Sequence, residues 1–233
     1  MIAGGSGYPL AELALLNPLP VHPSGVAPLD LLTRGGLAPG ALWAVAGPPS
    51  VGVTTLVSTM ALAAGSSARV ALANDHVATH LLRDRLRSAS DQVEIASWIP
   101  LPDYRSGESS WFGVDYDVLI IDCYDEMLRP AAWPKNGSAV RQCRWLRELA
   151  RRSNTALVLT ARVERARSHG RPAFERAWHR HWARPAFDDS ADVQVQLWPD
   201  MSSGTRFLAC ARGYGQATGW AHQHGGKLTL QAD

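Results

Sequence analysis

The sequence predicts an α/β fold with a mostly parallel central sheet flanked by helices. From Gly25 onward, short apolar runs alternate with amphipathic stretches, the pattern of strands joined by crossover helices. The first of these runs feeds a glycine-bracketed turn that opens a helix. A later one, Val118, Leu119, Ile120 and Ile121, stops abruptly at Asp122. With 233 residues, 46% of them hydrophobic, the chain can bury the core of one such domain.

Residues 1–24 contain repeated Gly and Pro with no sustained period and are expected to form an N-terminal arm, leaving 25–233 as the domain. Within the domain, Ala41 to Ala46 reads as a buried strand and Thr54 to Ala64 as the helix after the turn. Arg69 to Ala73 is the next expected strand, and Ala78 to Arg87 a half-buried helix with Leu81, Leu82 and Leu86 on one side. The Asp122 strand follows. A helix over Ala139 to Arg152 turns Val140, Cys143, Leu146 and Leu149 inward, and Ala156 to Thr160 is a further strand. After a long polar segment, strands are expected at Val193 to Leu197, Arg206 to Ala211 and Lys227 to Gln231.

Composition narrows the function classes. A net charge of +2 does not describe a protein that coats polyanions with its whole surface. Lys135 and Lys227 are the only lysines, and neither lies near the glycine turn. Cys123, Cys143 and Cys210 are too few and too scattered for a disulfide framework or a zinc cluster, so a reducing cytoplasm is expected. The N-terminus lacks a basic leader region, and no apolar run reaches the roughly 18 residues that span a bilayer. A cytoplasmic protein without membrane contact is the expectation.

The turn Gly47, Pro48, Pro49, Ser50, Val51, Gly52, Val53, Thr54 has the spacing of a phosphate-binding Walker A loop, G-x-x-x-x-G-K-[ST], except that Val53 stands in the lysine position. In such a loop the glycines let backbone N–H groups curl inward, and the following helix adds its positive end. Gly47, Ser50, Gly52, Val53, Thr54 and Thr55 are therefore the candidate nucleotide-binding residues, for ATP with Mg²⁺ at Thr54 and Asp122. Valine can neither carry charge nor reach a phosphate. Losing the lysine would weaken triphosphate binding by roughly ten- to hundredfold and would cost hydrolysis more.

Around this turn the chain resembles a known family. Gly35, Gly36, Leu37, Ala38, Pro39, Gly40, followed by Pro49, Ser50, Val51, Gly52, is similar to the G-G-L-x-P-G and R-P-S-M-G-K-T run of DnaB-type replicative helicases. Asp117 to Asp122, then Cys123 and Tyr124, resembles their D-x-I-x-I-D-Y segment. Arg141 to Arg152, the strand ending at Thr160, and Ser190, Ala191, Asp192 continue the same order over about residues 25 to 225. The resemblance implies a RecA-like P-loop NTPase fold, a role in DNA replication, recombination or repair, and oligomers.

The resemblance also exposes departures. Asp75 falls where the family's glutamate orients the attacking water, one methylene short, and is with Asp122 a candidate catalytic residue. Ala161 stands where the family has a γ-phosphate-sensing glutamine. Arg212 matches the lysine of a K-x-R-N-G strand end that reaches into the neighbouring subunit, with Tyr214 at the arginine finger if Thr218 and Gly219 anchor the alignment; a shift of two residues would restore Arg212 as the finger. An arginine finger contributes about 10³ to 10⁵ in rate, so slow or absent ATP hydrolysis is expected.

Between Thr160 and Val193 lies an arginine-rich segment: Arg162, Arg165, Arg167, Arg171, Arg176, Arg180 and Arg184, with Phe174, Trp178 and Trp182 interleaved. Arginines that neutralise phosphates, with Trp178 stacking on unpaired bases, would bind single-stranded DNA. The alternative is a helix whose aromatics, four apart, pack on the core or on another subunit. Three functions remain open at this stage. One is a DNA-binding or assembly partner with a degraded ATPase site, working with copies of itself or with a replication or repair protein. Another is an active motor rebuilt around Arg34 or Arg212. The last is a RecA-like accessory of translesion synthesis.

Overall fold

A computed structural model describes residues 20–74, 93–96, 116–123, 137–163, 171–181, 183–200, 204–211, 218–224 and 227–232. The elements are α1 (Ala27–Leu32), β1 (Leu42–Gly47), α2 (Val53–Ala64), β2 (Val70–Asn74), β3 (Val93–Ala96), β4 (Val118–Asp122) and α3 (Gly137–Ser153). There follow β5 (Ala156–Arg162), α4 (Arg171–Arg180), α5 (Arg184–Ser190), β6 (Val193–Asp200), β7 (Gly204–Ala211), β8 (Thr218–His224) and β9 (Lys227–Ala232). They form one sheet in the order β3-β2-β4-β5-β1-β6-β7-β8-β9. From β3 to β6 every neighbouring pair is parallel, and from β6 to β9 every pair is antiparallel.

Parallel strands covered on both faces need apolar side chains at every position, and β1, β2 and β4 are buried along their whole length. The alternation of the strand sends successive residues to opposite sides. Trp43, Val45, Val70, Leu72, Val118, Ile120, Ala156 and Val158 join Val57, Met60, Ala61 and Ala64 of α2 in one core layer. Leu42, Ala44, Ala46, Ala71, Ala73, Leu119, Ile121, Leu157 and Leu159 join Cys143, Leu146 and Ala150 of α3, Trp178 of α4 and Phe187 of α5 in the other. The sheet is thus sandwiched, as the alternating pattern predicts.

The expected strands at 41–46, 69–73, 118–122, 156–160, 193–197, 206–211 and 227–231, and the helices at 54–64 and 139–152, all occur with ends shifted by a few residues. The helix expected at 78–87 lies outside the described residues. Sequence reading missed β3, β8 and α1. The polar stretch before β6 folds into α4 and α5, and α5 carries a proline in its first turn, where a missing N–H costs nothing. At the end of the expected arm, the His22 and Leu37 backbones bond reciprocally at 3.0 and 2.7 Å. The Ser24 amide donates to Asp30 Oδ1 at 2.8 Å, so residues 22–24 are held against the domain.

One carboxylate fastens the start of β1. Asp192 Oδ2 accepts the Leu42 N–H at 3.0 Å, and the Asp192 N–H donates to the Leu42 carbonyl at 2.8 Å. Arg147 bonds the other oxygen of the carboxylate, and Arg151 approaches it at 3.7 Å. Beside it, Arg144 grips Asp189 with two bonds of 2.6 Å, joining α3 to α5 and holding the Asp189 carboxyl below its usual range. Among the described residues no helix is long and apolar enough to cross a membrane. Replacing Asp192 with Ala should lower the unfolding free energy by about 1.5–3 kcal/mol, because it strips a buried N–H and Arg147 of a charged acceptor. Asp192→Asn, which keeps an acceptor oxygen, should lose less; urea denaturation of the two variants measures the difference.

Candidate functional site

The polar residues of the site follow from where each strand stops being apolar. Asn74, Asp122, Thr160 and Arg162 lie at the C-terminal ends of β2, β4 and β5, and strand alternation puts all four on the face covered by α2. On that same face β1 ends at Gly47 and hands the chain to the turn that starts α2. Because the strands are parallel, these ends share one edge of the sheet. Crevices outside the C-terminal ends of parallel strands are where open α/β sheets bind ligands.

Asp122 is fully buried, and a carboxylate out of water has to be met by donors. The Thr54 hydroxyl donates to Oδ2 at 2.8 Å, and the Asn74 amide donates to the same oxygen at 2.5 Å. The Thr160 hydroxyl donates to Oδ1 at 2.6 Å and itself accepts the Cys123 N–H at 2.6 Å. Three separate segments of the chain thus converge on a single side chain. Cys123, next in line, has a left-handed backbone with φ of 61°, and the Thr160 contact secures it there.

Above this cluster lies an open cavity of about 530 Å³, lined by Gly47, Pro48, Pro49, Ser50, Gly52, Val53, Thr54, Thr55, Asp122, Cys123, Thr160, Ala161 and Arg162. Its size is in the range of small-molecule sites. The two glycines of the turn are needed for different reasons. A Cβ on Gly47 would sit 2.8 Å from both Val51 Cγ1 and Val53 Cγ2, so the strand must end in glycine for the turn to fold back over it. Gly52 has open space around it, but its φ of 103° is one that side-chain-bearing residues avoid. Ser50, also left-handed at 66°, completes the curl.

Every candidate nucleotide-binding residue and the candidate Asp122 therefore line one cavity. Val53 also faces Gly47 across the turn and packs against the α2-side core. A Mg²⁺ ion favours oxygen ligands, and the Thr54 hydroxyl and Asp122 carboxylate present oxygens 2.8 Å apart beside the cavity, a donor set of the right chemistry. Such an ion would supply positive charge to a bound phosphate. Asp75 and Arg212 lie outside the described residues, and Arg34 does not line the cavity.

The arginine-rich segment is reached only in part. Arg165 and Arg167 lie outside the described residues, and Arg171 is the first residue of α4. Arg176 and Arg180 are exposed on α4. Arg184 bonds His179 and pairs with Asp188 at 3.0 Å. Trp178 is only 4% exposed and packs on Phe187 and His181, with centroids 5.9 and 5.5 Å apart. Of the two readings open for this tryptophan, packing is the one its burial fits, for neither face is open to a base.

The structure also brings in residues that motif reading passed over. Asn74 and Thr160 carry no motif of their own and are found only when strand ends are aligned, and Cys123, quoted with the Asp122 segment, is given no role there. Arg162, counted in the basic segment, instead lines the cavity. Its carbonyl is 3.1 Å from His181 Nε2, while His181 Nδ1 accepts the Ala183 N–H at 3.3 Å. With Nδ1 accepting, Nε2 carries the proton and donates to Arg162, an assignment made from the bonding pattern. Thr160→Val, nearly isosteric, removes one donor from the buried carboxylate and the acceptor of Cys123 N–H, and should destabilise the protein by about 1–3 kcal/mol in urea denaturation. Comparison with protein-family models and with curated proteins gives no match.

Proposed function

We propose that this chain is a RecA-like P-loop domain of DNA metabolism, resembling the DnaB-type helicase core, with a nucleotide site too weakened for efficient hydrolysis and a role as a DNA-binding or assembly partner. The observation that carries the reading is the 2.8 Å bond from the Thr54 hydroxyl to Asp122 beneath the glycine turn. Those residues are the two that the Walker motif reading assigns to Mg²⁺, and they come from segments 68 positions apart. Their meeting at the foot of a cavity supports a triphosphate site.

The turn itself lacks a cation. Val53 supplies hydrocarbon where the Walker loop supplies lysine, and Ala161 has no group to sense a phosphate. Electrostatic stabilisation of the transferring phosphoryl group dominates such chemistry, so turnover suffers more than binding. A lysine at position 53 can run its methylenes along the path Val53 now takes and bring its ammonium out into the cavity. Val53→Lys should therefore tighten ATP binding by roughly ten- to hundredfold in calorimetry, while wild-type hydrolysis with Mg²⁺ stays at or near background. Brisk metal-dependent hydrolysis by the wild type, abolished in Asp122→Ala, would refute the impaired site.

Arg176 and Arg180, exposed on α4, support a DNA contact through phosphates. Replacing both with Ala should weaken binding of a single-stranded oligonucleotide and flatten its salt dependence by about two units of slope at most, measured by fluorescence anisotropy. Equal affinity and equal salt slope in the double variant would remove the DNA-binding half of the proposal.

A further inference from the structure

We infer that Arg162 is the phosphate-binding cation of this cavity, engaging a nucleotide's phosphates from the β5 side in place of the lysine missing from the turn. The inference rests on the nucleotide-site reading and adds to it the residue that holds the ligand's charge. Among the described residues that line the cavity, Asp122 and Arg162 alone are charged, so an anion entering it meets one cationic side chain there. The position of that side chain follows from the sheet. Arg162 is paired in register with Gly47, the first residue of the turn, and the Val163 N–H bonds the Gly47 carbonyl at 2.9 Å. Alternation from Val158 through Thr160 puts Arg162 on the α2 face, the same side as the turn and the start of the helix.

The guanidinium itself is located by Cys123, whose Sγ lies 3.7 Å from Nη2 at the end of β4. It therefore sits toward the β4 side of β5, beside the Asp122 cluster and at the cavity it lines. Its backbone is anchored on both sides, by Gly47 and by His181, so only the side chain has to adjust to a ligand. Arg162 is half-buried, which lowers the cost of stripping its water when an anion arrives. A guanidinium presents a planar fork of donors that matches two phosphate oxygens at once, where an ammonium acts as a point charge. The chemical class it selects is a phosphate-bearing ligand, with the sugar and base left to other contacts.

Calorimetry at fixed ionic strength tests this with ATP plus Mg²⁺, with inorganic triphosphate, and with adenosine as the phosphate-free control. Wild type should bind both phosphate ligands. Arg162→Ala should bind them about 10- to 100-fold more weakly, with adenosine unaffected, and Arg162→Lys should fall between. A thermal melt of each variant confirms the fold, and Val53→Lys placed in the Arg162→Ala background should recover the lost affinity. If Arg162→Ala binds ATP as wild type does, the inference is overturned and the nucleotide site stands. If wild type binds no ATP but Val53→Lys does, Arg162 does not supply the cation and the inference is likewise overturned. Failure of both proteins to bind ATP or triphosphate would overturn the nucleotide-site reading and this inference with it.

Discussion

The site is organised by the need to keep one carboxylate satisfied away from water. An unsatisfied polar group in a protein interior costs about 1–3 kcal/mol, and a charged one more, so a fully buried aspartate survives only where donors surround it. Asp122 obtains them from Thr54, Asn74 and Thr160. Each donor sits at the end of a different element: the start of α2, the end of β2 and the end of β5. Satisfying Asp122 therefore also fixes the register of three parallel neighbours and the depth at which α2 begins. Thr160 extends the arrangement one residue further by accepting the Cys123 N–H, which steadies a left-handed backbone at the rim of the cavity.

The turn that covers this cluster is shaped by crowding at one glycine and by backbone conformation at the other. Gly47 is tight because Val51 and Val53 both lean on it. That packing gives Val53 a structural use that is independent of phosphate chemistry, since its methyls face the first residue of the turn and the α2-side core. Valine at position 53 thus gives the turn an apolar contact with Gly47 and the core.

Much of the fold was legible because parallel strands buried on both faces announce themselves as continuous apolar runs. β1, β2, β4 and β5 do so, while β6 alternates Val193 and Val195 with Gln194 and Gln196. The elements missed are those without that signal: β3 with a glutamate at Glu94, β8 with Gly219, His222, Gln223 and His224, and α1, a short helix whose Leu31 is 75% exposed. α4 was hidden by its arginines, and only the spacing of its aromatics hinted that Trp178 would face inward. In the site, motif spacing located the turn and Asp122 because those residues have fixed offsets in the chain. Asn74, Thr160 and Arg162 have no such offsets. They share only a rule of geometry, that the last residues of neighbouring parallel strands, counted with a period of two, come to one edge on one face.

That rule bears on how charge can move within a site while the fold stays the same. A cation delivered by the turn arrives at the start of α2, whereas one delivered by Arg162 arrives from the end of β5, two positions beyond Thr160 and across from Gly47. Both routes lead to the same cavity. The second makes the cation part of the sheet, and it links the residue to α4 through the bond between its carbonyl and His181. An anion pulling on the guanidinium would act on a strand end braced by both the turn and the connection between α4 and α5. Arg162 and the exposed arginines of α4 thus lie on elements joined by the bond between His181, the residue after α4, and the Arg162 carbonyl.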